Sequence, residues 1–181
     1  MKIYTRTGDD GTTGLLFGGR VAKDSAVIAA NGAVDEAQAA LGTVRAEVER
    51  GSELDELLIT LERDLYVLMG EVATAPENRA KLKAGTTLVT IEMIEGLERH
   101  IDELSDLFPT IREFVIPGHD RVSAGLDVAR TATRRAERVA LAAVPSGSLV
   151  VQYLNRLSDL LWTMARWQER GESLKARRAR T

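Results

Sequence analysis

From residue 24 onward apolar side chains recur at every third or fourth position, and before it they do not. Val27, Ala30, Val34, Ala37, Leu41, Val44 and Val48 alternate steps of three and four, the spacing that lines one face of an α-helix. Asp24 or Ser25 suits its start and Gly51 its end. A second seam runs through Leu54, Leu58, Leu61, Leu65, Leu68 and Val72, with Ser52 placed to cap it and Pro76 beyond its end. Residues 77–87 predict a connecting loop. A third seam, from Ile91 through Ile94, Leu97, Ile101 and Leu104 to Phe108, stops at Pro109. After an extended turn over 114–120, a fourth helix is predicted over 120–144, with Ala129, Ala132, Ala136, Val139 and Ala143 on one face. Pro145 to Ser148 break the pattern. A fifth helix over 149–170 buries Val150, Leu154, Leu157, Leu161 and Met164.

Residues 1–23 are rich in glycine and threonine and have no helical period. They predict an ordered loop with at most a short extended stretch. No β period stands out elsewhere, so the expected fold is all-α, a five-helix up-and-down bundle. It forms one domain over 1–181, with an N-terminal segment (1–23), the bundle (24–171) and a frayed basic tail (172–181).

Composition narrows the function classes. Among 181 residues, 44% are hydrophobic and 28% charged, a folded-protein balance. The formal net charge of -3 offers no general attraction for nucleic acid or an anionic membrane. The absence of cysteine excludes disulfides, thiolate metal sites and thiol catalysis. Together with an N-terminus that lacks an apolar signal-like run, it leads us to expect a cytoplasmic protein without a membrane segment.

The fourth helix carries the most informative chemistry. Arg130, Arg134, Glu137 and Arg138 share the face opposite the alanines. Guanidinium forks at that spacing can grip phosphate oxygens while Glu137 orients one of them; a solvated salt-bridge face reads the same way when taken alone. The N-terminal run from Thr5 to Gly14 offers hydroxyls and glycine amides suited to an anion-binding nest, or to a plain surface turn, and lacks the Gly-Lys-Ser/Thr of a P-loop. Asn155, Ser158, Asp159 and Trp162 form a polar stripe on the fifth helix. Asp35 lies beside the buried seam of the first helix, where a carboxylate needs a partner, and Arg130 is a candidate. His100 and His119 have no partner at metal-ligand spacing, so no protein-held metal is expected.

Taken together, YTRTGDDGTTGL, RVAKDS, NGAVDEAQAALG, FVIPG, VARTATRRAER and YLNRLSDLLW resemble the PduO-type ATP:cob(I)alamin adenosyltransferases in order and spacing over nearly the whole chain. The resemblance implies a ferritin-like helical bundle that assembles as a homotrimer and binds ATP between subunits. It implies ATP contacts from Thr5, Arg6, Thr7, Gly8, Thr13, Gly14 and Lys23, and from Arg134, Arg135, Glu137, Arg138 and Asn155 across the interface. Arg134, Glu137 and Asn155 would be the catalytic residues, Asp35 and Arg130 an intersubunit salt bridge, and Phe114 part of the corrinoid pocket. Cob(I)alamin would attack the 5′-carbon of ATP and release inorganic triphosphate, with Mg2+ on the phosphates. A reductase and an adenosylcobalamin-dependent enzyme are the implied protein partners.

Three positions depart from the family pattern: Asp10 stands where many relatives carry lysine, His119 where glycine is common, and Asp127 where histidine is frequent. Two other classes compete with the enzyme. One is an adenosylcobalamin delivery module with little turnover; the other is a structural bundle whose arginine face binds a partner.

Overall fold

The hydrophobic seams fold as five long helices, and a short hairpin precedes them. The computed structural model describes residues 2–176. The helices are α1 (Ala26–Arg45), α2 (Glu53–Val72), α3 (Ile91–Ser105), α4 (Arg121–Ala140) and α5 (Val150–Gln168). Most of the marked seam positions are buried: Leu41, Leu58, Leu65, Ile94, Ala129, Leu154 and Leu161 retain at most 1% of their exposed surface, whereas Ile91, at the start of the third seam, is 45% exposed. No helix among the described residues is long and apolar enough to cross a membrane.

The helix ends follow local chemistry. Ser52 caps α2 as expected, its hydroxyl accepting from the Asp55 amide at 3.2 Å. Asp120 caps α4 by accepting from the amides of Val122 and Ser123, while Ser123 Oγ accepts from the Asp120 amide. That reciprocal box fixes the start of the arginine-bearing helix. The other ends are shorter than the seams suggested. α1 stops at Arg45 rather than near Val48, α4 at Ala140 rather than Val144, and α3 at Ser105 rather than Phe108. Beyond its helix Phe108 continues as a packing residue, edge-on to Trp162 at 6.5 Å. The expected loop at 77–87 contains a 3-10 turn, Pro76–Lys81.

In space α1 lies between α2 and α4, and α5 lies between α4 and α3. The chain therefore crosses the bundle after α2 and again after α3, instead of placing each helix beside its predecessor. Gly125 lets α1 and α4 approach closely, since a Cβ there would stand 2.8 Å from Val44 Cγ2.

The N-terminal segment is more regular than expected. Strands β1 (Thr12–Gly14) and β2 (Arg20–Ala22) pair antiparallel, too short for alternation to reveal. Phe17, Gly18 and Gly19 all take positive φ in the connecting turn. The turn is tied to the end of α2 by the Leu16 amide, 2.8 Å from the Ala73 carbonyl. The C-terminal expectation also changes: the segment just after α5 pairs with the turn before α4, with Ile116 N donating to Leu174 O and Ala176 N to Phe114 O, each at 2.8 Å. Residues 172–176 are thus tied down rather than frayed, and residues 177–181 of the expected tail lie outside the described residues.

Candidate functional site

Small residues on the inner face of α4 leave its outer face to cations. Ala129, Ala132 and Ala136 are buried, whereas Arg134, Arg135 and Arg138 are exposed. Arg135 pairs with Glu36 of α1. Arg134 and Arg138 make no ion pair among the described residues. Glu137 turns instead toward α5, accepting from Asn155 Nδ2 at 3.0 Å. Two exposed guanidiniums without an ion-pair partner thus share α4 with the carboxylate that orients the Asn155 amide, a donor set suited to phosphate oxygens. Ser158, counted with the polar stripe, is buried and donates to the Asn155 carbonyl at 2.8 Å, which removes it from any exposed face.

The N-terminal segment is held by a residue the site prediction left out. Arg20 donates to the Thr7 carbonyl and to Thr12 Oγ1, each at 2.6 Å through NH2. Gly8 is crowded: a Cβ there would meet Thr12 O at 3.0 Å and Lys23 Nζ at 3.1 Å. Lys23 is thereby brought against the loop, while Thr13 and Gly14 lie in β1. Thr5 and Thr7 share a hydroxyl hydrogen bond of 2.8 Å, and Arg6 adopts a positive φ of 63° with its guanidinium 5.5 Å from the Tyr4 ring centroid. Asp10 folds back on Thr12, accepting from its amide at 2.9 Å and its hydroxyl at 2.8 Å. The amide bond holds the Asp10 carboxyl below its usual range. Asp10 therefore shapes the loop.

Among the described residues no hydrogen bond or ion pair joins this segment to Arg134, Arg138 or Asn155. The structure does not bring the two halves of the expected nucleotide site together within one chain. Ile3 and Tyr4 are 97% and 62% exposed, so the leading end of the segment lies off the bundle.

A second locus lies at the turn before α4. A cavity of about 570 Å3 is bordered by Arg112, Phe114, Pro117, Arg130, Trp162 and Arg166, among others. Phe114, which borders it, is 89% exposed. Beneath lies a buried ion network. Arg166 NH2 donates to Asp127 Oδ2 at 2.7 Å and to Glu169 Oε1 at 2.8 Å, and Asp127 Oδ1 accepts from Arg130 Nε at 3.0 Å. Glu169 also accepts from Ser173. Asp35, beside the seam of α1, is exposed and so needs no partner within the chain, and Arg130 is engaged within its own helix. The departure at Asp127 now has a structural role, neutralising two arginines. Arg166 and Glu169 escaped the sequence reading; the available signal was a long cation within the apolar run of the fifth helix. His119 lies 4.0 Å from Glu172 beside this locus.

The profile of the cobalamin adenosyltransferase family matches residues 3–168. A corrinoid adenosyltransferase of Citrobacter freundii is 42% identical over 171 residues, covering 93% of this chain and 95% of its own. One of Mycobacterium tuberculosis is 41% identical over 170 residues, covering 91% and 87%. Among solved structures, a variant PduO-type ATP:corrinoid adenosyltransferase from Lactobacillus reuteri, complexed with cobalamin and ATP, superimposes with a TM-score of 0.86 at 28% identity. It covers 98% of this chain and 100% of the other. The chain belongs to the cobalamin adenosyltransferase family, within its PduO-type ATP:corrinoid adenosyltransferase enzymes.

Proposed function

We propose that this enzyme transfers the 5′-deoxyadenosyl group of ATP to cob(I)alamin, forming adenosylcobalamin and releasing inorganic triphosphate. The observation that carries the reading is the pair of uncommitted guanidiniums, Arg134 and Arg138, beside the Glu137–Asn155 hydrogen bond. Cations placed at a leaving triphosphate stabilise the charge as it develops. The nucleophile is the cobalt of the substrate: its electron pair forms the bond to C5′ as the C5′–O bond breaks, and the pair from that bond departs with the triphosphate. No side chain need act as nucleophile, which fits a chain without cysteine. The protein's part is to hold the two substrates in line.

The site is completed between subunits of a homotrimer. In support, the segment from Thr5 to Lys23 makes no bond to the arginine face of its own chain, and Ile3 and Tyr4 lack cover. In this assembly Thr5, Arg6, Thr7, Gly8, Thr13, Gly14 and Lys23 of one copy face Arg134, Arg135, Glu137, Arg138 and Asn155 of the next. Asp35, exposed on α1, is available to Arg130 of a neighbour, which would then share its charge with Asp127. No three His, Asp or Glu side chains converge to hold an ion among the described residues. Magnesium would therefore ride on the phosphate oxygens, adding positive charge to that of the arginines.

The corrinoid occupies the cavity at Phe114. An exposed phenyl ring beside Arg112 and Trp162 offers an apolar face under the macrocycle, where it would displace the lower axial ligand and ease reduction to the Co(I) state. A reductase supplies that electron, and we place the reaction in the cytoplasm. Binding of Mg-ATP tests the nucleotide half by itself: a rise in melting temperature is expected, since a ligand of the folded state stabilises it by mass action. No rise at millimolar ATP would contradict it.

A further inference from the structure

Glu98 of α3, Arg156 and Asn155 of α5, and Glu137 of α4 form one hydrogen-bonded row across three helices. Arg156 Nε donates to Glu98 Oε1 at 2.7 Å, Arg156 NH1 donates to Asn155 Oδ1 at 3.0 Å, and Asn155 Nδ2 donates to Glu137 Oε1 at 3.0 Å. Asp159 Oδ2 stands 3.8 Å from the same NH1. Neighbouring residues on a helix do not face each other, so Arg156 reaches Asn155 only because its guanidinium is drawn back along the surface, between Glu98 and Asp159.

A guanidinium carries donors only, and an ionised carboxylate acceptors only. Of the two orientations of the Asn155 amide, one satisfies both neighbours. The flipped one sets donor against donor and acceptor against acceptor. Glu137 alone would favour the same orientation, but one hydrogen bond leaves the amide free to swing about it; the second, charge-assisted bond from Arg156 fixes the plane. One N–H of Nδ2 then remains unused.

We infer that Arg156 is a positioning residue for nucleotide binding, locking the Asn155 amide so that its remaining N–H is offered to an acceptor oxygen of ATP. The inference rests on the reading of Asn155 as an ATP contact. It assigns Arg156 no contact with the nucleotide and no share in long-range attraction of the triphosphate. Those two roles would persist without Asn155, whereas positioning would not.

The test is a double-mutant cycle on Mg-ATP affinity, measured by calorimetry on the assembled protein. Asn155→Ala and Arg156→Met should each weaken ATP about tenfold, the order expected for a charge-assisted hydrogen bond. The double variant should bind no more weakly than Asn155→Ala alone. Arg156→Lys should recover part of the loss, since an ammonium can still donate to Asn155 Oδ1. Losses that multiply in the double variant, or an Arg156→Met protein that binds like the parent, overturn the inference. A parent that binds no ATP overturns the site reading and this inference with it; a parent that binds, with multiplying losses, overturns this inference alone. Arg156 is 36% exposed, so Arg156→Met should fold. If it does not, Glu98→Gln replaces it in the cycle, with an expected two- to threefold loss that vanishes in the Asn155→Ala background.

Discussion

Arg166 donates to Asp127 at 2.7 Å from a side chain that is 1% exposed, joining α5 to α4 beneath the cavity at Phe114. A guanidinium that deep is tolerable only while its carboxylates remain. Asp127→Ala should therefore lower stability by about 3 kcal/mol, because Arg166 keeps Glu169 but loses half its charge balance. Chemical denaturation measures it; a loss under about 1 kcal/mol would mean that the network relaxes without Asp127.

Phe114 is the opposite case. With 89% of its surface exposed, Phe114→Ala should leave stability within about 0.5 kcal/mol. Its effect should fall on the bound corrinoid, as a smaller four-coordinate cobalt(II) population in the absorption or EPR spectrum. An unchanged population would remove Phe114 from the mechanism.

At Gly125 the helices leave no room for a methyl group. Alanine would gain about 1 kcal/mol of helix propensity, yet its Cβ would lie 2.8 Å from Val44 Cγ2. Overpacking costs of about 1–3 kcal/mol should win, so Gly125→Ala is expected to be destabilising by about 1 kcal/mol. A raised melting temperature would show that α1 and α4 part freely.

Tyr153, wholly buried, donates to Asp64 at 2.8 Å. Burial lifts the Asp64 carboxyl above its ordinary value of 3.8, against the opposing pull of the Tyr153 hydrogen bond. Just above that value the folded chain keeps a proton that the unfolded chain has lost. The stability from this group is thus fully present at lower pH and is lost as pH rises through the raised value. Asp64→Asn still accepts from Tyr153 but does not titrate. Its stability relative to the parent should improve as pH rises from about 4; parallel stability curves would contradict the assignment.

The helices were legible because their seams are long. Six apolar positions at steps of three and four leave no other fold for Leu54–Val72, and the Ser52 cap reads directly from sequence. Their packing order was not legible, since a seam marks which face is buried but not which helix covers it, and α1 packs on α4 as well as on α2. The hairpin was missed because three-residue strands carry too little alternation. For the candidate site, motif order singled out Arg134, Glu137 and Asn155 as expectations, and the structure adds the hydrogen bond between the last two. Arg20, Arg156 and Arg166 were not picked out because spacing marks none of their partners: Arg20 reaches across the hairpin to Thr7, Arg156 turns back onto its neighbour Asn155, and Arg166, though a cation in an apolar helical run, pairs with Asp127 on another helix.

The central claim is adenosyl transfer on the arginine face, and Arg134→Ala tests it most directly. Arg134 is exposed and makes no ion pair among the described residues, so its removal should leave the fold and the melting temperature unchanged. Purified protein with Mg-ATP and chemically reduced cobalamin should yield adenosylcobalamin and inorganic triphosphate in equal amounts. Arg134→Ala should reduce the rate at least a hundredfold, the scale of a lost charge-stabilising group. Equal rates in parent and variant, or no adenosylcobalamin from a parent that binds both substrates, would contradict the account.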